Sequence, residues 1–263
     1  MSFKQKLIPF FLRKYVNYYL ENGFKKTVKK FGWKLFAIIF FYYLIRDSIL
    51  YIIIPYFALK GIFNFLIMLL KGKKGIISGA LDENSIAWKV AEKCFENGAK
   101  ITLTNAPIAL RMGKINELAE KCSSKVIPAD LTSVEDIENL YDESSTLLGD
   151  KVDFILHSVG MSPNVRKNKE YGDLNYDWLN KTLDVSAISF HKMMQVAEKR
   201  NFLNKWSSVV GLSYIAAQRT FPFYSDMAEA KSLLESITRS YGYRLGKISK
   251  TRVNTISQSP TVT

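Results

Sequence analysis

The sequence predicts an α/β protein, a doubly wound parallel sheet preceded by a hydrophobic helical N-terminal segment. Three observations carry this reading. From Lys74 onward, short apolar runs alternate with amphipathic segments, the pattern of repeated strand–helix–strand units. The runs end in small or polar residues, as the ligand-facing edge of such a sheet does. Before Lys74 the pattern is different: Leu35 to Leu59 is apolar except for Arg46, Asp47 and Ser48.

A chain of 263 residues with 48% hydrophobic content can bury a sizeable core, which excludes a disordered or fibrous class. The formal charge of +13 is unevenly distributed. Residues 1–34 hold nine Lys or Arg against the single acid Glu21, whereas residues 71–263 carry only +4. The basicity therefore belongs to the front of the chain, and with no recognition motif a nucleic-acid partner is not expected. Cys94 and Cys122 show no CxxC or Cys/His spacing, and His157 and His191 lie far from them in sequence. Neither a disulfide nor a metal site is expected, and the simplest compartment is a reducing cytosol.

Three segments follow from this pattern: 1–34 basic and amphipathic, 35–70 hydrophobic, and 71–263 the α/β domain. Residues 3–30 alternate basic and bulky apolar residues, as an interfacial helix on anionic lipid does. The apolar run that follows is long enough to cross about 30 Å of hydrocarbon. Arg46 and Asp47 would each cost about 2.5–3.5 kcal/mol at the midplane of a single span. A tight hairpin is the alternative, with Phe36 to Ile45 entering, the polar Arg46-Asp47-Ser48 turning, and Ile49 to Leu70 returning. Lysines flank both ends of the stretch, which suits a hairpin with both ends cytoplasmic. A buried helix of a soluble protein remains the competing reading. A cleaved signal peptide does not fit, because the basic lead is long and no small-residue cleavage site follows.

The α/β elements then read in order. "KGIISGA" is a strand, "SIAWKVAEKCFENG" a helix ending at Gly98, and "KITLT" a second strand. "KVIPAD" and "VDFILHSVG" supply the third and fourth strands. "DWLNKTLDVSAISFHKMMQVAEKR" is one long helix, "SSVVGLS" a fifth strand, the stretch from "YSDMAEAK" to "YRLG" another long helix, and "RVNTISQS" a sixth strand. Ligands of such sheets lie beyond the carboxyl ends of the strands. There stand Gly79 with Ser85 as N-cap candidate, Asp130, His157 to Gly160, Ser213 and Tyr214, and Ser257 to Pro260.

Tyr224 and Lys231 are seven positions apart, which on a continuous helix puts both on one face two turns apart. A rival pair, Tyr243 and Lys247, leaves only four residues before the sixth strand, whereas Lys231 leaves twenty. Tyr243 and Lys247 are therefore expected on the helix surface.

Together "GALDENSIA", "HSVGMSPN", "DVSAISFHKMMQ", "SYIAAQRTFPFYSDMAEAK" and "RVNTISQSPT" resemble the NADH-dependent enoyl-acyl-carrier-protein reductases of fatty-acid synthesis, a branch of the short-chain dehydrogenases with a Rossmann-type sheet. The resemblance covers about residues 69 to 263. It implies that Gly79, Ser85 and Ile86 lie beside a pyrophosphate and Asp130 and Leu131 beside the adenine. Ser158, Val159 and Gly160 would form a backbone wall against the cofactor. It further implies that Tyr224 hydrogen-bonds the thioester carbonyl, that Lys231 holds the nicotinamide ribose, and that Tyr214 is a second active-site tyrosine. The implied partner is an acyl carrier protein bearing an enoyl chain, and a complete fold would form a homo-oligomer.

The sequence departs from this family in three places. Thr104-Asn105-Ala106 offers neither an acid for the adenosine ribose nor an arginine for a phosphate, so NADPH stays open beside NADH. Residues 1–68 have no family counterpart, which suggests a cytoplasmic reductase tethered to the inner membrane through residues 1–70. The family continues past the sixth strand with a substrate-covering segment and a seventh strand, so a sheet lacking its last strand and little turnover are expected of residues 69–263 alone. Two other readings are a membrane-tethered nucleotide-binding remnant without turnover and a small membrane protein fused to a broken reductase. Arg166, Lys167 and Lys169 read as a solvated loop or as a surface for an acidic carrier protein.

Overall fold

A computed structural model describes residues 13–57, 68–112 and 114–258, and the chain divides into two compact units, Met1–Ile67 and Met68–Thr263. In the first unit a helical stretch α1 (Arg13–Asp47) is broken at Gly23 (φ 73°) and Gly32 (φ 44°). These are backbone conformations that glycine adopts without a Cβ penalty. Tyr15 and Tyr18 pack edge-on against Phe31, with ring centroids at 4.8 and 5.3 Å. Sixteen residues of straight helix would separate Tyr15 from Phe31 by about 24 Å, so the chain doubles back at Gly23. Lys30 rests over the Tyr18 ring at 4.1 Å, and the Thr27 hydroxyl donates to the Gly23 carbonyl. The basic lead is thus a folded-back helical pair, not the single interfacial helix its alternation suggests.

Beyond Gly32 the apolar stretch is helical through Asp47 and continues as a π-helix over Ser48–Ile53. The hairpin turn expected at Arg46-Asp47-Ser48 is absent. The two charges satisfy each other instead: Arg46 Nη2 lies 2.7 Å from Asp47 Oδ1, and the guanidinium sits over the Tyr43 ring. A local ion pair lets the polar triplet remain inside a helix. Phe36–Phe57 forms a helix of 22 residues with mean hydropathy 1.9, none of it buried.

In the second unit six parallel strands lie in the order β3-β2-β1-β4-β5-β6, the arrangement of a doubly wound dinucleotide-binding sheet. The strands are β1 (Lys74–Ser78), β2 (Lys100–Thr104), β3 (Lys125–Val126), β4 (Val152–His157), β5 (Leu203–Tyr214) and β6 (Arg252–Gln258). The helices are α2 (Ile86–Glu96), α3 (Pro107–Met112), α4 (Ile115–Lys121), α5 (Val134–Leu148), α6 (Pro163–Arg166), α7 (Tyr176–Leu183), α8 (Ser189–Lys199) and α9 (Ser225–Ser249).

Side chains alternate across a strand, so neighbours on one strand feed two cores. Ile76, Ile155 and Val209 pack with Tyr141 of α5, Phe190 of α8 and Leu234 of α9. Ile77, Leu156 and Leu212 pack with Trp88 of α2 and Leu118 of α4 on the other face. Leu70 joins this second core and donates its backbone N–H to Asn97, so the last residues of the apolar stretch belong to the α/β unit.

Three elements differ in extent from their sequence patterns. β3 has two residues, because Pro128 has no N–H for the ladder, although Ile127 and Ala129 still donate to Leu103 and Asn105. The long helix expected over residues 177–200 is α7 and α8 joined by a π-helical turn at Asp184–Ile188. There Ser186 Oγ bonds both backbone groups of Met161. β6 extends to Gln258, taking in Ser257, while Pro260 lies outside the described residues.

Candidate active site

The carboxyl ends of β1 and β4 approach each other closely. Gly79 follows β1 at φ 89°, and a Cβ there would stand 2.0 Å from the backbone oxygen of Ser158. Only glycine fits both the backbone angle and the contact. Ser85 occupies the N-cap position of α2, but its hydroxyl does not cap the helix. It donates to the Asp82 carbonyl and accepts from the Leu81 N–H, shaping the turn from within. The first N–H groups of α2, beginning with Ile86, therefore have no side-chain acceptor from the N-cap, and such a helix start favours an anion.

The turn is braced from β2 as well. The Asn105 amide donates to the Ala80 carbonyl at 2.9 Å, joining the ends of β1 and β2. After β3, Asp130 is exposed and its carboxylate accepts from the N–H and hydroxyl of Thr132, while Leu131 is buried. After β4, Ser158 and Val159 are half-buried and Gly160 is exposed. A side chain at Gly160 would meet the Lys231 ammonium at 3.4 Å, so the lysine reaches from α9 to the loop after β4.

Tyr214 ends β5, and its ring faces that of Tyr224 at 4.4 Å between centroids. Lys231 is 8% exposed and donates to the Leu212 carbonyl at 2.8 Å. Burial lowers its pKa to about 8. Burial, reinforced by the neighbouring Tyr214 phenol, pushes Tyr224 up to about 12. The two-turn helical relation between Tyr224 and Lys231 does not hold, because Tyr224 is the N-cap residue and α9 begins at Ser225. Tyr224 is flanked by Phe223 at φ 63° and Ser225 at φ 48°, left-handed conformations uncommon in non-glycine residues and concentrated at functional sites. The distorted turn sets Tyr224 against Tyr214 at the end of β5, while Lys231 reaches the Leu212 carbonyl from within α9.

Tyr243 and Lys247 lie on the outer surface of α9, both exposed, with the ammonium stacked over its own tyrosine ring. Two further features escaped sequence reasoning. Asp226 is fully buried and accepts hydrogen bonds from Ser162, Asn164 and Thr182. Ser213 Oγ donates to Glu235, which also receives Gln218, tying the end of β5 to α9.

Among the described residues, four buried side-chain polar atoms lack a hydrogen-bond partner: Thr104 Oγ1, His157 Nδ1, Ser225 Oγ and Gln258 Oε1. Three belong to the last residues of β2, β4 and β6, and the fourth to the first residue of α9. Buried polar atoms are rarely left unpaired, and here all four lie at the one end of the sheet that holds Gly79, Tyr214, Tyr224 and Lys231. His157 also donates to or accepts from Ser189 through Nε2, and burial first, then the Lys231 charge, lowers its pKa to about 3. No group of three metal-ligating side chains gathers among the described residues. Burial raises the pKa of Cys94 to about 11 and raises that of Cys122, which leaves both thiols poor nucleophiles.

Comparison with known proteins adds a sequence-level result. The family described as Enoyl-(Acyl carrier protein) reductase matches residues 79–263. The enoyl-[acyl-carrier-protein] reductase [NADH] FabI of Rickettsia bellii is 33% identical over 193 residues, covering 73% of this chain and 72% of the relative. The crystal structure of FabI from Alistipes finegoldii is 62% identical over 74% of each chain, with a TM-score of 0.72. The FabI–NADH complex from the same organism is 63% identical over 74% of this chain and 69% of that one, with a TM-score of 0.74.

Proposed function

The chain belongs to the enoyl-(acyl carrier protein) reductase family, and from that premise we propose that it reduces the trans-2 double bond of an enoyl thioester carried on an acyl carrier protein, using NADH. The observation that carries this reading is that the Gly79 cradle, the Tyr214–Tyr224 pair, Lys231 and four unpartnered buried polar atoms, spread over the ends of β2, β4 and β6 and the start of α9, all lie along one edge of the sheet. A large polar ligand is what such an edge accommodates.

The residues fit the cofactor. Gly79, Ser85 and Ile86 hold the pyrophosphate, on N–H groups at the start of α2 that no side chain caps. Asp130 and Leu131 would border the adenine, and Ser158, Val159 and Gly160 would form a backbone wall against the cofactor. The Lys231 ammonium holds the ribose from beside Gly160. Asn105, the residue after β2's last pair, is neutral and already bonded to Ala80. It offers no cation for an extra phosphate, which supports NADH over NADPH.

Bound there, NADH would supply hydride to the β-carbon of the conjugated thioester, with a proton from water completing the α-carbon. The protein's part is electrostatic: negative charge grows on the thioester oxygen as hydride arrives, and a hydrogen-bond donor aimed at that atom lowers the barrier. Tyr224, with its pKa at about 12, remains a phenol donor at neutral pH. Tyr214, packed against it, limits where the phenol can turn. The ammonium of Lys231, held at the Leu212 carbonyl, would add a positive charge at the same edge of the sheet.

We further propose that the segment before Met68, basic over 1–34 and apolar beyond it, attaches this cytoplasmic reductase unit to a membrane. The exposed apolar helix Phe36–Phe57 and the clustered lysines before it support attachment to anionic lipid. The catalytic reading is tested by steady-state NADH oxidation with a crotonyl thioester. Oxidation that requires the thioester is expected, and NADH binding without thioester-dependent oxidation contradicts it.

A further inference from the structure

Asp226 stands out as a carboxylate buried to 0% exposure whose three hydrogen-bond partners are all neutral. Ser162 Oγ donates to Oδ1 at 2.6 Å, Asn164 Nδ2 donates to Oδ2 at 2.8 Å, and the one hydroxyl proton of Thr182 is shared between Oδ2 and the Trp178 carbonyl, each at 2.8 Å. The donors come from the N-cap of α6, from α6 itself and from α7. Asn164 extends the set, because its amide also exchanges two bonds with the backbone of Asn175. Asp226 sits in the first turn of the 25-residue helix α9, where the helix dipole favours a negative charge.

The chain just before Asp226 has few anchors of its own. Pro222 and Phe223 are exposed, the Tyr224 N–H bond to the Phe221 carbonyl is long at 3.3 Å, and the Ser225 hydroxyl has no partner among the described residues. Two left-handed residues bracket Tyr224. Asp226 is the nearest residue with a complete buried polar attachment, two positions from the phenol-bearing residue.

We propose that Asp226 is the positioning residue of the Tyr224 site: it clamps the loop after β4 and helix α7 to the first turn of α9, and so fixes where the Tyr224 phenol stands. The clamp spans the loop that carries Ser158 to Gly160 and the turn that carries Tyr224, the two parts between which cofactor and substrate must meet. Asp226 touches neither reactant. Its contribution to turnover rests on the reading of Tyr224 as the donor to the thioester.

The test labels position 224 with 3-fluorotyrosine in the full chain and follows it by fluorine NMR, with turnover measured in parallel. The expected results are one narrow resonance in the otherwise unaltered protein and a displaced or broadened one in Asp226→Ala. Asp226→Asn is expected to recover the narrow line, since its carbonyl can accept from Asn164 and Thr182 while its amide donates to Ser162. Thr182→Val removes one donor and keeps the carboxylate, so it perturbs the resonance in the same direction with less risk to folding. Kinetically, Asp226→Ala should lower kcat by about 100-fold with KM for NADH nearly unchanged, the pattern of a misplaced catalytic group. An undisturbed resonance in both Asp226→Ala and Thr182→Val overturns the proposal. The fluorine signal requires no turnover, so a failure of the enoyl-reduction reading leaves this result decisive.

Discussion

The rings of Tyr214 and Tyr224 lie 4.4 Å apart at an interplanar angle of 31°, although one ends a strand and the other precedes a helix. Phe221 packs edge-on against Tyr214 at 5.6 Å from within the connecting turn. The turn thus folds over its own tyrosine pair, and the two phenols become one structural unit.

Replacing Tyr224 by Phe keeps this ring contact and removes the donor. Turnover of an enoyl thioester should fall by about 100-fold, with NADH affinity little changed. Tyr243→Phe and Lys247→Ala, on the exposed face of α9, should retain the unaltered rate. Steady-state kinetics on the four proteins compare these outcomes directly, and an equal loss at Lys247 contradicts the assignment.

Lys231 sets a pH limit. Its ordinary pKa of 10.5 is lowered to about 8 by burial, so the ammonium is complete below that value and is lost as pH rises through it. Tyr224 stays protonated to about 12 and does not titrate in this range. The profile of kcat/KM for NADH, which reports groups of the free enzyme, should therefore fall above about pH 8. Lys231→Arg should shift that limb upward while lowering the plateau.

Gly79 tests the cradle. Alanine there meets the Ser158 oxygen at 2.0 Å and adopts a positive φ, a conformation costing about 1–3 kcal/mol for a non-glycine residue. Gly79→Ala should lower the Tm and weaken NADH binding by at least about tenfold. Gly172→Ala, with nothing within 4 Å of the added carbon, should do neither. Calorimetric titration with NADH measures the affinities.

The apolar helix predicts membrane association. A reporter fused to residues 1–70 should sediment with membranes, driven by the exposed surface of Phe36–Phe57. Lysine at both Leu44 and Ile45, near the centre of the span, adds about 2.5–3.5 kcal/mol per charge to insertion and should release the fusion to the soluble fraction. Recovery of the unaltered fusion in the soluble fraction contradicts the attachment.

The α/β order was legible because strand and helix periods differ, and because each strand ends in a residue type suited to a ligand edge. Gly79, Tyr224 and Lys231 could be placed at that edge on this basis, whereas the roles proposed for them came from the family resemblance. The helical spacing argument for the pair was incomplete: left-handed turns at Phe223 and Ser225 have no periodic signature. Asp226 was invisible for a related reason. Its three donors come from segments 44 to 64 residues away in sequence, and only the folded chain gathers them. In the N-terminal unit the Arg46 and Asp47 charges suggested a turn, but neighbouring opposite charges can satisfy each other within a helix.

The most direct test of the central claim is the fate of the hydride itself. Crotonyl thioester incubated with the protein and NADH deuterated at the transferable nicotinamide position should give butyryl thioester with one deuterium on the β-carbon. The rate should fall in the Tyr224→Phe variant. Absence of butyryl product, or product without deuterium on the β-carbon, contradicts the account.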